Sequence, residues 1–168
     1  MTFKKHSLIA LAGFIWFSVG LMLLIKGLKL VILAAYFSEE KTGPILNFLM
    51  YATTGAILPS VLIIILLGLI LGFVKGKWVL GKAAKRTVTR LYPLRGSIRL
   101  TKLYRLRDYL LIVGMIGLGR IISWVNLPGD IHAFIDITIG SALINGAMIY
   151  FRYAIKFKDE EKKLSNLY

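Results

Sequence analysis

The chain has 168 residues, which sets a prior of one domain, and carries 22 Lys and Arg against 8 Asp and Glu, for a net charge of +14. Apolar residues make up 57% and charged residues 18%, with a mean hydropathy of +0.73, whereas a soluble domain averages about 45–50% and about 25%. Cysteine is absent, which excludes disulfides, thiolate zinc sites, iron–sulfur clusters and cysteine nucleophiles; with two histidines a multi-His metal site is not expected either, and no cofactor is implied.

In a soluble protein this basic surplus would point to nucleic acid. Here long apolar runs assign it to membrane topology. The start, "MTFKKHSLIALAGFIWFSVGLMLLIKGLKL", has a basic head and then 19 uncharged residues from Ser7 to Ile25. That run is long for a signal-peptide core, and no clean small-x-small cleavage site follows it. It therefore reads as a retained anchor, with a first span at about 7–31.

The second span, at about 45–74, lies within the 33 charge-free residues Thr42–Val74. That is more than a bilayer needs, so tilt or a kink is expected, and Pro59 is the natural kink point. Residues 75–107 are strongly basic. Leu80, Ala84, Val88 and Leu91 recur at helical spacing, with Lys82, Lys85, Arg86 and Arg90 around them. This reads as an amphipathic helix in the headgroup plane, broken by Pro93 and Gly96, with those four cations as candidate contacts for anionic lipid. Tyr92 and Tyr104 are too sparse for a nucleic-acid stacking platform. A third span is expected at about 109–125, a fourth at about 128–150, and a solvated or frayed helical tail at 151–168.

Lys4 and Lys5, residues 75–107 and residues 152–163 hold 18 of the 22 cations. With four spans they fall on one side, which the positive-inside rule makes cytoplasmic. The expectation is an all-α, multi-pass protein of the cell's inner membrane, built as two hairpins with both termini inside. Trp78, Tyr104, Tyr109, Tyr150 and Tyr153 would mark the inner interface, and Tyr36 and Trp124 the outer one. An internal parallel repeat is one reading of the two hairpins. "SVGLMLLIKGL" (Ser18–Leu28) lies over "IVGMIGLGRII" (Ile112–Ile122), and "TTGAIL" (Thr53–Leu58) over "TIGSAL" (Thr138–Leu143).

Charges inside the spans are the candidate site. Arg120 and Asp136 each stand eight residues from Pro128, so antiparallel helices would bring them to one depth, roughly 10–12 Å from the turn. An ion pair there would offset much of the cost of a lone intramembrane charge. His132 shares a helix face with Asp136, and Lys26, Tyr51, Thr54 and Asn145 are further neighbours. One reading is a polar site for an anionic solute or lipid; the other is a pair that fixes helix register, with Lys26 and Arg120 reaching outer headgroups.

Gly13, Gly20 and Gly27 repeat every seven residues, Gly68–Gly72 is a G-x-x-x-G and Ala142–Gly146 is small-xxx-small. All are helix-packing surfaces, for this chain or for a second subunit. No phosphate-binding loop, HExxH or nucleophile elbow occurs. Sequence alone thus favours a non-enzymatic membrane subunit or scaffold in contact with anionic lipid, with a membrane-protein partner or a homo-oligomer as company. The other candidate is a small oligomeric transporter or channel using Arg120 and Asp136.

Overall fold

The computed structural model describes residues 2–3, 5–37, 43–82, 98–99, 124 and 127–165. The elements run β1 (Thr2–Phe3), α1 (Lys5–Tyr36), α2 (Pro44–Ala52), α3 (Ile57–Lys75), a π-helical turn (Gly76–Leu80), β2 (Ile98–Arg99) and α4 (Gly129–Ser165). Among the described residues three segments, Ile9–Tyr36, Ile57–Trp78 and Gly129–Lys156, are long and apolar enough to cross a membrane. That is the architecture of a multi-pass membrane protein. Apart from Trp124, the expected third span at 109–125 lies outside the described residues, as does most of the basic connector. The two short strands pair antiparallel, Thr2 opposite Arg99 and Phe3 opposite Ile98, a small addition to the helices among the described residues.

α1 and α4 form the largest helix–helix interface, and the seven-residue glycine repeat explains it. A methyl group added at Gly13 would come 3.1 Å from Tyr150 Cβ; at Gly20, 2.9 Å from the Gly140 carbonyl oxygen; at Gly27, 2.8 Å from Ile137 Cγ1. Without side chains at these positions the two backbones approach closely. The pairing of low with high numbers makes the helices antiparallel. Gly68, Gly72 and Gly76 meet Ile137–Thr138, Thr138–Ser141 and Ala142–Asn145 in turn, so α3 runs parallel to α4. The G-x-x-x-G is therefore spent within the chain.

The core has two parts. One cluster joins Ile9, Ala12 and Trp16 to Leu143, Ala147, Tyr150 and Ala154, with the Trp16 and Tyr150 rings 5.9 Å apart. The other joins Val31, Leu46, Val61, Ile64 and Ala133. Many large apolar side chains point away from the bundle, among them Phe14 and Met22 on α1 and Leu62, Leu66 and Phe73 on α3. In water such faces would drive aggregation; in a bilayer they are the lipid contact.

Two expectations are corrected here. The second apolar run does not kink at Pro59. It breaks at Thr53–Ala56, where Thr54 and Gly55 adopt φ of +54° and +87° and Ala56 is extended. Pro59 sits in the first turn of α3, where a missing N–H costs no helical bond. The break is closed by the Thr53 hydroxyl, which contacts the Leu49 carbonyl and the Ser60 hydroxyl at 2.8 Å each. The result is a short helix folded back on a longer one, with Leu46 against Val61 and Ile64. Of the segments matched in the repeat reading, "TTGAIL" includes this break and "TIGSAL" is uninterrupted helix within α4, while Ile112–Ile122 lies outside the described residues. α1 also extends past the expected limit near residue 31, to Tyr36.

Asp130, at the start of the expected fourth span, is fully buried. Its Oδ2 accepts hydrogen bonds from the Ile45 and Leu46 amides at 2.8 and 3.0 Å. Pro44 begins α2 after Gly43, which offers no capping side chain, so the carboxylate of α4 supplies the cap from 84 residues away. Gly43 has to be glycine, because a Cβ there would run into that carboxylate. Asp130→Ala should cost about 1–2 kcal/mol, the scale of a lost N-cap. Hydrogen exchange should locate the loss, with the Ile45 and Leu46 amides exchanging faster while amides in the middle of α1 hold their protection.

Candidate functional site

Between the two core clusters lies a polar one. Lys26 comes from α1, one residue before Gly27, where the absence of a side chain draws α4 close. His132 and Asp136 come from α4, one turn apart on the same face. Lys26 Nζ stands 3.2 Å from Asp136 Oδ2 and 3.4 Å from His132 Nε2. His132 Nε2 is 3.7 Å from the same carboxylate oxygen. The side chains are 46%, 15% and 6% exposed for Lys26, His132 and Asp136.

The chemistry follows from these distances. A lysine ammonium has donors only, so a Lys26–His132 hydrogen bond is one in which the imidazole accepts at Nε2. Asp136 Oδ2 is buried and accepts no hydrogen bond. It takes the Lys26 charge by proximity rather than by a directed bond. Such a pair neutralises two intramembrane charges at once, which either alone could not do. Lys26 lies ten residues inside the Tyr36 end of α1, roughly 15 Å along the axis. Its side chain is half-exposed, so the ammonium meets the Asp136 carboxylate on one side and the surroundings of the bundle on the other.

Three groups in mutual contact can hold two helices in one register, and they can share a proton. Glycines tighten both sides of the cluster: Gly20 opposes Gly140 below it, and Gly27 opposes Ala133 and Ile137 beside it. Among the described residues no group of three His, Cys, Asp or Glu could hold a metal ion.

Of the residues singled out in the sequence, Lys26, His132 and Asp136 come together. Arg120 lies outside the described residues, so Lys26 is what stands beside Asp136 among them. Tyr51 is 90% exposed, and Thr54 donates to the Thr53 carbonyl within its own turn. Asn145 donates to the Ser141 carbonyl, nine residues from Asp136, or roughly 13 Å along α4. None of these three joins the cluster. Lys82 is exposed with its Nζ 6.0 Å from the centroid of Trp78, at the limit of a cation–π contact; Lys85, Arg86 and Arg90 lie outside the described residues. Asp130 is the polar residue that sequence reasoning missed. Its signal was indirect: α2 starts at Gly43–Pro44 with no capping side chain of its own, so its free amides needed an acceptor from elsewhere.

Comparisons with protein families, with curated proteins and with solved structures each return no match.

Proposed function

We propose that the protein is a non-enzymatic subunit or scaffold of the cell's inner membrane that contacts anionic lipid, with both termini cytoplasmic. The observation that carries this reading is where the intramembrane charges are spent. Asp136, Lys26 and His132 engage one another inside a glycine-packed interface, while the large apolar side chains of α1 and α3 stay free for lipid or a partner. A site used to lock helices together and a surface left open for packing are what a scaffold needs.

The orientation rests on end-to-end asymmetry. The helix directions bring Lys75, Lys77 and Lys82 of α3 and its π turn to the same end as Arg152, Lys156 and Lys158 of α4. The positive-inside rule puts that end in the cytoplasm. The parallel run of α3 and α4 is what a further crossing between them, the third span expected at 109–125, would produce. The natural absence of cysteine gives a clean test. Single cysteines at Ser7 and Ser165 should both resist a membrane-impermeant maleimide in intact cells and react after lysis. A cysteine at Asn47 should react in intact cells, and the opposite pattern inverts the topology.

A second reading is a small oligomeric transporter or channel. It is favoured by the buried Asp136 oxygen that accepts no hydrogen bond beside a half-exposed lysine. Purification from native membranes in mild detergent, with proteomics and lipidomics on one sample, separates the two. A stoichiometric protein partner supports the scaffold. A homo-oligomer whose ion flux in liposomes is abolished by Asp136→Asn overturns it.

A further inference from the structure

Below the polar cluster, α3 presents a second surface. Leu69, Ile70, Phe73 and Val74 line an apolar groove with Ser141 of α4 at its edge. The one polar group there is already engaged, since the Ser141 hydroxyl donates to the Leu69 carbonyl at 3.1 Å. What remains is hydrocarbon surface facing outward, because Gly68, Gly72 and Gly76 hold the opposite face of α3 against α4. A groove of this chemistry at this depth suits an acyl chain.

The next turn changes character. Gly76 and Gly81 both sit against α4, meeting Ala142 and Ile149, although they are five residues apart. The π-helical turn Gly76–Leu80 makes this geometrically possible, since its wider winding returns the fifth residue to nearly the same face. Lys77, Trp78 and Lys82 are thereby left exposed, with the Lys82 ammonium over the Trp78 ring. No acidic residue occurs anywhere between Glu40 and Asp108, so these cations have no counter-ion from their own stretch of chain. Val74 and Trp78 are four residues apart, roughly 6 Å along the axis, and the headgroup layer of a bilayer is about 5–8 Å thick on each side. Groove and cations therefore match the two ends of one amphiphile.

We propose that this face of α3 binds an anionic phospholipid of the cytoplasmic leaflet, its acyl chain in the Leu69–Val74 groove and its phosphate held by Lys77 and Lys82 beside Trp78. The proposal rests on the anionic-lipid part of the function above and narrows it to one site. A tryptophan with its ring at the headgroup level and basic neighbours is the side-chain pattern such an interface selects.

The test uses the full chain in phosphatidylcholine vesicles carrying a minor fraction of chain-brominated lipid, either phosphatidylglycerol or phosphatidylcholine. The Trp78 emission is taken as the difference between the protein and its Trp78→Phe variant. Brominated phosphatidylglycerol should quench Trp78 several-fold more effectively than brominated phosphatidylcholine. Lys77→Gln with Lys82→Gln, each lysine being worth about fivefold in attraction, should bring the two lipids to parity while circular dichroism stays unchanged. Equal quenching in the unmodified protein, or a preference that survives loss of both lysines, overturns the site. Lipidomics of the purified chain separates this from the broader reading. Anionic lipid enriched without a Trp78 preference leaves lipid contact standing and removes this site; no enrichment removes both. Exclusion of both lipids from Trp78, as when a protein segment fills the groove, also overturns the proposal.

Discussion

Asp136→Ala should lower the unfolding free energy by about 2–3 kcal/mol, measured by denaturant titration in mixed micelles. That is below the roughly 3–5 kcal/mol seen on breaking a fully buried ion pair, because Lys26 is half-exposed. The loss comes from what remains. With the carboxylate gone, Lys26 loses its nearest counter-ion, and His132 Nε2 at 3.4 Å carries no negative charge to replace it. The double variant Lys26→Met with Asp136→Leu removes both charges and should recover to within about 1 kcal/mol of the starting protein, since a hydrophobic pair of similar volume is often neutral. With Lys26→Met and Asp136→Leu also measured singly, the interaction term of that cycle is the direct measure of the pair. Equal costs for Asp136→Ala and the double variant would mean that the two side chains are near each other without being coupled.

Gly20→Leu should have the larger effect, with no folded protein recovered. Gly20 and Gly140 face each other across the α1–α4 interface, and a Cβ on either would come within 2.9 Å of the other's carbonyl oxygen. An atom against backbone cannot be accommodated by a rotamer change, so the helices themselves must separate. Gly20→Ala already demands such a shift and should cost about 1–3 kcal/mol. Leucine adds three more carbons in the same place. As a control, Met22→Leu lies two residues away on the exposed face of α1 and should leave stability within about 0.5 kcal/mol. If Gly20→Leu folds normally, α1 and α4 do not pack along the glycine repeat.

The parts of this fold that can be read from sequence are the local ones. Charge-free runs and their flanking cations locate α1, α3 and α4, because the cost of burying a charge in lipid is paid residue by residue. The break at Thr53–Ala56 escapes the same reasoning. Thr and Gly are ordinary residues of apolar helices, and the positive φ of Thr54 leaves no trace in hydropathy. Pro59 drew attention instead, although a proline in a first turn disturbs nothing. The glycines announced a packing surface, yet the pairing of the first helix with the last joins residues more than a hundred positions apart, and no periodicity encodes a partner. The candidate site shows the same division. Lys26, His132 and Asp136 stood out because each is costly inside a span. Assigning Asp136 to Arg120 required assuming that sequence neighbours pack as a hairpin, whereas among the described residues the contact comes from α1. Asp130 was hidden because an acidic residue after Pro-Gly looks like any solvated turn.

The tertiary cap on α2 also has a temporal side. Ribosomes deliver Pro44–Ala52 long before Asp130, and Lys26 long before Asp136. Until α4 emerges, the nascent chain holds a bare cation in its first helix and an uncapped short helix after it. Both missing partners sit on α4, so the charge contact of Lys26 and the cap of α2 wait on the same segment of chain. A polypeptide stalled or cleaved before residue 129 would hold Lys26 without the Asp136 carboxylate and the Ile45 and Leu46 amides without the Asp130 carboxylate.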